Sequence, residues 1–337
     1  MKEYIDRPTL LPIVNNETKG IEFVSLSTID QLNQMVVSGN ARDVVNAYET
    51  RQEWYIGHIA WQIFGKRDKV KVIIIAGPSS SGKTTFSKRL ALHLQVLGFK
   101  PYPLSLDDYF VDRDKTPLDA NGEKDYEHID ALNVQFFRQN IQNLTAGGEI
   151  ELPHYDFKTG TSYGSGTKLH LEEGMVLIVE GIHGLNPILT ESLPRECVYK
   201  IYASSLARYY FSDECGDYVP RTDQRLVRRI IRDMKYRGIS AKDTIQRWQS
   251  VRRGEDRWIF PFQENADVEF CSTQMYELAV LKNQALSALA SVRPADGGYE
   301  KAQQLIDYLV RYETIEEKYI PPTSLLREFL GGSNFRY

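Results

Sequence analysis

The nine residues Gly77-Pro78-Ser79-Ser80-Ser81-Gly82-Lys83-Thr84-Thr85 fit the pattern G-x-x-x-x-G-K-[ST] at every fixed position. No other stretch narrows so far what this chain can fold into. Before it runs Val70-Lys71-Val72-Ile73-Ile74-Ile75-Ala76, a β-branched run suited to a strand buried on both faces. After it the spacing predicts a helix over 83–97, closed by Gly98. Glycines let the turn tighten and aim backbone N–H groups inward, and the helix adds the positive end of its dipole, so the segment is built to hold an anion. Lys83 can reach the outer phosphates of a nucleotide, and the Thr84 hydroxyl can ligate Mg²⁺. Gly77, Ser79, Ser80, Ser81, Gly82, Lys83, Thr84 and Thr85 are therefore expected to bind ATP, with Thr84 also on the metal. The motif alone does not separate a kinase from other nucleotide-using enzymes.

The rest of the chain alternates in the same way. Further strands are predicted at 103–106, 175–179, 198–203 and 268–271. Helices are predicted at 27–65, 131–144, 223–236, 241–252, 276–289 and 299–312, with hairpins within 150–171 and an irregular arm over 1–20. Strands alternating with helices imply an α/β fold: a parallel sheet flanked by helices, of the kind built around phosphate-binding loops. The expected organisation is a helical N-terminal extension over 1–65, a core with an arginine-rich lid over 66–274, and a helical C-terminal region over 275–337.

Composition removes several alternatives. The net charge of −4 over 337 residues argues against a general nucleic-acid binder. The three cysteines, Cys197, Cys215 and Cys271, form no C-x-x-C pair, which disfavours structural zinc and suits a reducing cytosol. The first residues carry no apolar signal-like core, and no run of 18 apolar residues exists, so neither secretion nor a membrane span is expected. The expected partner is a small-molecule acceptor, the expected place is the cytoplasm, and homo-oligomerisation is left open.

Two acidic strand ends supply the remaining chemistry. Met175-Val176-Leu177-Ile178-Val179 ends in Glu180-Gly181, which puts a carboxylate where open α/β sheets bind ligands and where Mg²⁺ needs a second protein group. Leu104-Ser105-Leu106 ends in Asp107-Asp108-Tyr109-Phe110, and Asp107 is placed to take the proton of an attacking hydroxyl. Arg225, Arg229 and Arg232 recur at i, i+4 and i+7, a stripe of guanidinium groups suited to charge on a transferring phosphoryl.

In these motifs the chain resembles the uridine kinase and phosphoribulokinase family, from about residue 71 to residue 272. After the phosphate loop come Asp107-Asp108-Tyr109-Phe110, Tyr126-Glu127-His128-Ile129-Asp130-Ala131, Pro153-His154-Tyr155-Asp156-Phe157, Glu180-Gly181, and an arginine-rich helix running from Arg225-Leu226 to Arg237-Gly238. The resemblance implies Asp107 as base, Lys83, Thr84 and Glu180 on phosphate and Mg²⁺, and Arg229, Arg232 and Arg237 as lid arginines. It also implies Tyr109, Glu127 and Tyr155 at the acceptor. Three departures stand out. Glu127 replaces the usual aspartate, Ile129 replaces a proline, and Lys158-Thr159-Gly160-Thr161-Ser162 follows where a base-contacting histidine is usual. The tail Ser324-Leu325-Leu326-Arg327-Glu328-Phe329-Leu330-Gly331-Gly332-Ser333 is similar to that of a divergent uridine-kinase-like subgroup. The implied activity is phosphorylation of a nucleoside 5′-hydroxyl. A kinase for a sugar phosphate or other polyol, and a non-enzymatic nucleotide-binding regulator, are the alternatives.

Overall fold

The computed structural model describes residues 26–119, 122–212, 214 and 216–337, so the irregular arm expected over 1–20 lies outside the described residues, as does Cys215. Two helices, α1 (Ile29–Val37) and α2 (Ala41–Phe64), occupy the first predicted helical region. They part at Gly39, whose φ of +85° no continuous helix tolerates. Thr28 starts α1 through a reciprocal capping box with Gln31. Then follow β1 (Val72–Ala76), α3 (Lys83–Val96), β2 (Lys100–Ser105), α4 (Val134–Thr145), the hairpin strands β3 (Glu149–Asp156) and β4 (Thr161–His170), β5 (Met175–Gly181) and β6 (Val198–Ser204). The chain continues through α5 (Arg221–Arg237), α6 (Ala241–Trp258), β7 (Val268–Cys271), α7 (Glu277–Leu289), α8 (Tyr299–Leu309) and the short α9 (Arg327–Leu330).

Five strands form one sheet in the order β2-β5-β1-β6-β7, every pair parallel. Strand β1 is buried along its whole length, as its unbroken apolar run requires of a central strand. Its side chains alternate between two cores. Ile73 and Ile75 pack with α1, α2, Phe86, Leu281 and Phe329 on one face, while Val72 and Ile74 pack with Leu104, Phe137 and Leu177 on the other. The N-terminal helices and the C-terminal segment therefore share the first of these cores with the sheet. The β3–β4 hairpin is a separate antiparallel pair, and β4 is exposed throughout except at Leu169. Among the described residues no helix is long and apolar enough to cross a membrane.

Candidate active site

The loop between β1 and α3 has little freedom to be anything but glycine where glycine stands. A Cβ on Gly77 would lie 1.9 Å from the Ala203 carbonyl oxygen at the end of β6. Gly82 has φ +82°, and a Cβ there would meet Leu325 Cδ2 at 2.5 Å. Ser80 itself takes a left-handed conformation at φ 57°. Helix α3 starts on Gly82 without a side-chain cap, so Lys83 and Thr84 N–H have no cap from the N-terminal residue. The Ser80 and Ser81 hydroxyls are buried with no partner among the described residues. This is the donor-rich, anion-deficient cradle that a polyphosphate would complete.

Sheet order brings the acidic groups to that cradle. Strand β5 lies between β2 and β1, with Glu180 in register with Ile75 on one side and Ser105 on the other. Glu180 thus stands between the phosphate loop and the turn that carries Asp107. The Thr84 hydroxyl donates to Glu180 Oε1 at 3.1 Å, while Glu180 Oε2 is buried without a partner. That free oxygen beside a hydroxyl is a donor set suited to a hard divalent cation. Loss of water pushes the Glu180 carboxyl upward, against the pull of the Lys83 ammonium. The Asp107 carboxyl is raised by the same crowding, opposed by Lys83 and assisted by Asp108. Asp107 nevertheless keeps solvent-accessible surface. Its neighbour Asp108 is occupied: Oδ1 lies 3.1 Å from His154 Nδ1 and accepts from Tyr155 N at 3.4 Å, tying the turn to β3. Of the two adjacent carboxylates, Asp107 is the one not tied to the hairpin.

The arginines divide into two groups. Helix α5 packs against the core through Leu226, Val227, Ile230 and Ile231. Arg225 and Arg228 are 2% and 0% exposed and hold the helix in place. Arg225 makes a bidentate pair with Glu255 at 2.5 and 2.8 Å and donates to the Ser79 carbonyl at 3.0 Å. Arg228 pairs with Glu277 at 2.9 and 2.5 Å and donates to the Ser272 carbonyl at 3.0 Å. The stripe expected from the i, i+4, i+7 spacing is therefore broken, with Arg225 in a buried structural pair. Arg229, Arg232 and Arg237 instead converge on Asp233, each at 3.2 Å. Arg229 also donates to Ser79 Oγ at 2.8 Å and so reaches the loop. Asp233, the acid within the arginine-rich motif, is 2% exposed and had no role assigned from sequence. Its signal was positional, four residues from both Arg229 and Arg237 on one helix face.

Glu127 lies against Gly254 of α6. Its Oε2 is buried without a partner, and burial together with the charge of Glu255 pushes its carboxyl up to about 7. The charges of Arg229 and Lys83 oppose that rise. Gly254 of α6 makes room for it, since a Cβ there would fall 2.2 Å from Glu127 Cβ. Tyr109 and Tyr155 are corrections. Tyr109 is 1% exposed, its hydroxyl accepting from Asn140 at 3.2 Å and its ring against Phe136 and Phe137. Tyr155 is 3% exposed and packed on Phe110 and Phe157. Their apolar rings close the core under the site and offer no free face. Residues 158–162 run from the hairpin tip into the start of β4, where Asp156 accepts from Lys158 N and Asp112 from Ser162 N. Sequence reasoning also missed His183. It is 1% exposed, has both ring nitrogens unpartnered, and is pushed down to about 3 by burial and by His128. His128 packs edge-on against Trp258, whose Nε1 is likewise buried and unpaired.

A sheet with this loop, two carboxylates and clustered arginines at its C-terminal edge defines a nucleotide-dependent phosphotransferase class. The sequence profile of the phosphoribulokinase / uridine kinase family matches residues 72–193 and 217–279. A uridine kinase from Lactobacillus helveticus is 30% identical over 207 residues, spanning 61% of this chain and 88% of that protein. A uridine kinase from Staphylococcus aureus (strain JH9) is 31% identical over 199 residues, spanning 58% of this chain and 85% of its own. Among solved structures, a possible uridine kinase from Bacillus stearothermophilus is 20% identical with a TM-score of 0.44, covering 66% of this chain and 99% of its own. The chain belongs to the phosphoribulokinase / uridine kinase family. It is a kinase, a phosphotransferase with a hydroxyl acceptor, and the reading as a non-enzymatic regulator is set aside.

Proposed function

We propose that the enzyme transfers the γ-phosphoryl group of ATP to a hydroxyl of a nucleoside-like acceptor, in the first instance the 5′-hydroxyl of uridine or cytidine. The observation that carries this reading is the convergence around Lys83 of the Thr84–Glu180 pair, Asp107 and the arginines gathered on Asp233. Asp107 would take the acceptor's proton as its oxygen bonds to phosphorus and the bond to the leaving diphosphate breaks. Lys83, Arg229, Arg232 and Arg237 would hold the phosphate oxygens. Thr84 and the free oxygen of Glu180 would hold Mg²⁺, which when bound offsets phosphate charge. Glu127 would accept bonds from the acceptor's hydroxyls. Residues 66–274 would carry this chemistry, with α1 and α2 before them and the helical segment 275–337 after them as additions.

The acceptor pocket favours a broad choice. Tyr155 is buried, and Lys158–Ser162, which stand where a base-contacting histidine is usual in the family, have backbone N–H groups taken by Asp156 and Asp112. This supports either relaxed pyrimidine selectivity or a sugar-like or other polyol acceptor. The test is acceptor-dependent ADP release with uridine, cytidine, purine nucleosides and simple sugars, with Lys83→Ala as the inactive reference. We expect acceptor-dependent turnover and less than roughly a thousandfold spread in kcat/KM between pyrimidine nucleosides and the best alternative. A larger preference for uridine and cytidine would refute the broad pocket. ATP consumption indifferent to every acceptor would refute the kinase reading of this site.

A further inference from the structure

The C-terminal segment sits against the phosphate loop. Thr85 is the third residue of α3, and its N–H is among those with no partner inside the helix. In a loop of this type such an N–H is a phosphate donor. Here it is taken: Glu328 Oε2 accepts from Thr85 N at 3.4 Å and from Thr85 Oγ1 at 2.7 Å. The Tyr337 hydroxyl adds a bond to Thr85 Oγ1 at 2.8 Å, and Thr85 is wholly buried. Leu325 lies over Gly82 next door. The negative charge of Glu328 also adds to the upward push on the Glu180 carboxyl, so it is felt across the loop.

The segment is anchored independently of Glu328. Ser324 Oγ donates to buried Glu49 at 2.5 Å, and Phe329 is fully buried with the Arg228 guanidinium 5.4 Å from its ring. Arg327 donates to the Glu317 carbonyl at 2.9 Å, and Lys235 bonds the Leu330 carbonyl. Glu328 is thus a carboxylate delivered by a fixed strap to donors that a phosphate would use. Two anions cannot share one N–H and hydroxyl, and like charges at such a distance repel.

We propose that Glu328 is a built-in competitor of the nucleotide: it holds the Thr85 donors in the resting enzyme and must release them when a phosphate arrives. Tail seating and nucleotide binding then oppose each other, and a ligand or modification that draws Glu328 away would activate the enzyme. The inference rests on the reading of the loop as the ATP site. The test is calorimetric titration of the full-length protein with Mg²⁺-ATP, comparing wild type, Glu328→Gln and Lys83→Ala. Gln keeps an acceptor for the Thr85 hydroxyl, so the strap stays seated while the charge is lost. We expect Glu328→Gln to bind ATP roughly tenfold tighter than wild type, and Lys83→Ala to bind more weakly. Unchanged or weaker binding by Glu328→Gln, with wild type binding and Lys83→Ala impaired, overturns the competitor role and makes Glu328 a positioning group for Thr85. No ATP binding by wild type or Glu328→Gln overturns the nucleotide reading of the loop, and the inference with it.

Discussion

Asp233→Asn separates an organised arginine cluster from a merely basic helix. Asp233 is 2% exposed and receives Arg229, Arg232 and Arg237, whose side chains are 14%, 16% and 51% exposed. Removing one partner of a fully buried pair costs about 3–5 kcal/mol because the other charge is stranded. Two of these guanidiniums are partly buried and the third is mostly solvated, and an exposed pair contributes only about 0–1 kcal/mol. A loss of about 2–4 kcal/mol follows. At about 2–4 °C per kcal/mol for chains somewhat shorter than this one, thermal unfolding should fall by roughly 5–15 °C. The catalytic effect should be separate. Without the shared carboxylate the three cations repel and drift from the phosphate side of the loop. Loss of one positioned donor to developing charge costs about 10²–10³-fold. Since the arginines are displaced and not deleted, kcat should drop by about tenfold to a hundredfold. Steady-state kinetics at saturating ATP, below the variant's unfolding temperature, would measure this. A kcat within about twofold of wild type, with only the unfolding temperature lowered, would refute the link between Asp233 and phosphoryl transfer.

Asp107→Asn should lower kcat by about 10²–10⁴-fold with ATP affinity nearly unchanged. A variant with normal kcat would move the base elsewhere, and Asp108 is the poorer choice because it is bonded to the hairpin. Glu127 gives a pH signature. Its folded carboxyl is pushed up to about 7 from an ordinary 4.5, so the folded state holds a proton that the unfolded chain has released. That contribution to stability is fully present below the unfolded value of 4.5 and is lost as pH rises through about 7. Urea midpoints of Glu127→Gln should therefore gain on wild type between about pH 5 and about pH 8, and parallel curves would contradict the raised carboxyl.

The phosphate loop, the carboxylates of Glu180 and Asp107, and the alternation of strands and helices were legible in the sequence. Each depends on neighbours a few residues away: a β-branched run before the glycines, a helical period after them, an acid at a strand end. The helical region expected over 27–65 holds two helices, because the breaker at Gly39 outweighs the apolar spacing around it. The arginine stripe was legible as a spacing but not as a function. Helical periodicity puts Arg225, Arg229 and Arg232 on one face. Which of them is buried depends on Glu255 thirty residues later and on what packs over α5. Tyr109 and Tyr155 failed for the same reason: an aromatic beside an active-site motif serves a ligand or the core according to which side of the turn meets Phe137 or Phe110. Local sequence determined the backbone of the cradle, since glycine torsions and strand propensity act within a few residues. Tertiary structure alone decided what surrounds it. The order β2-β5-β1 brought Glu180 between Lys83 and Asp107, and a core shared with the sheet carried Glu328 from the far end of the chain to Thr85. Those contacts join residues 96 and 243 positions apart, and only close packing of buried apolar faces sets such distances.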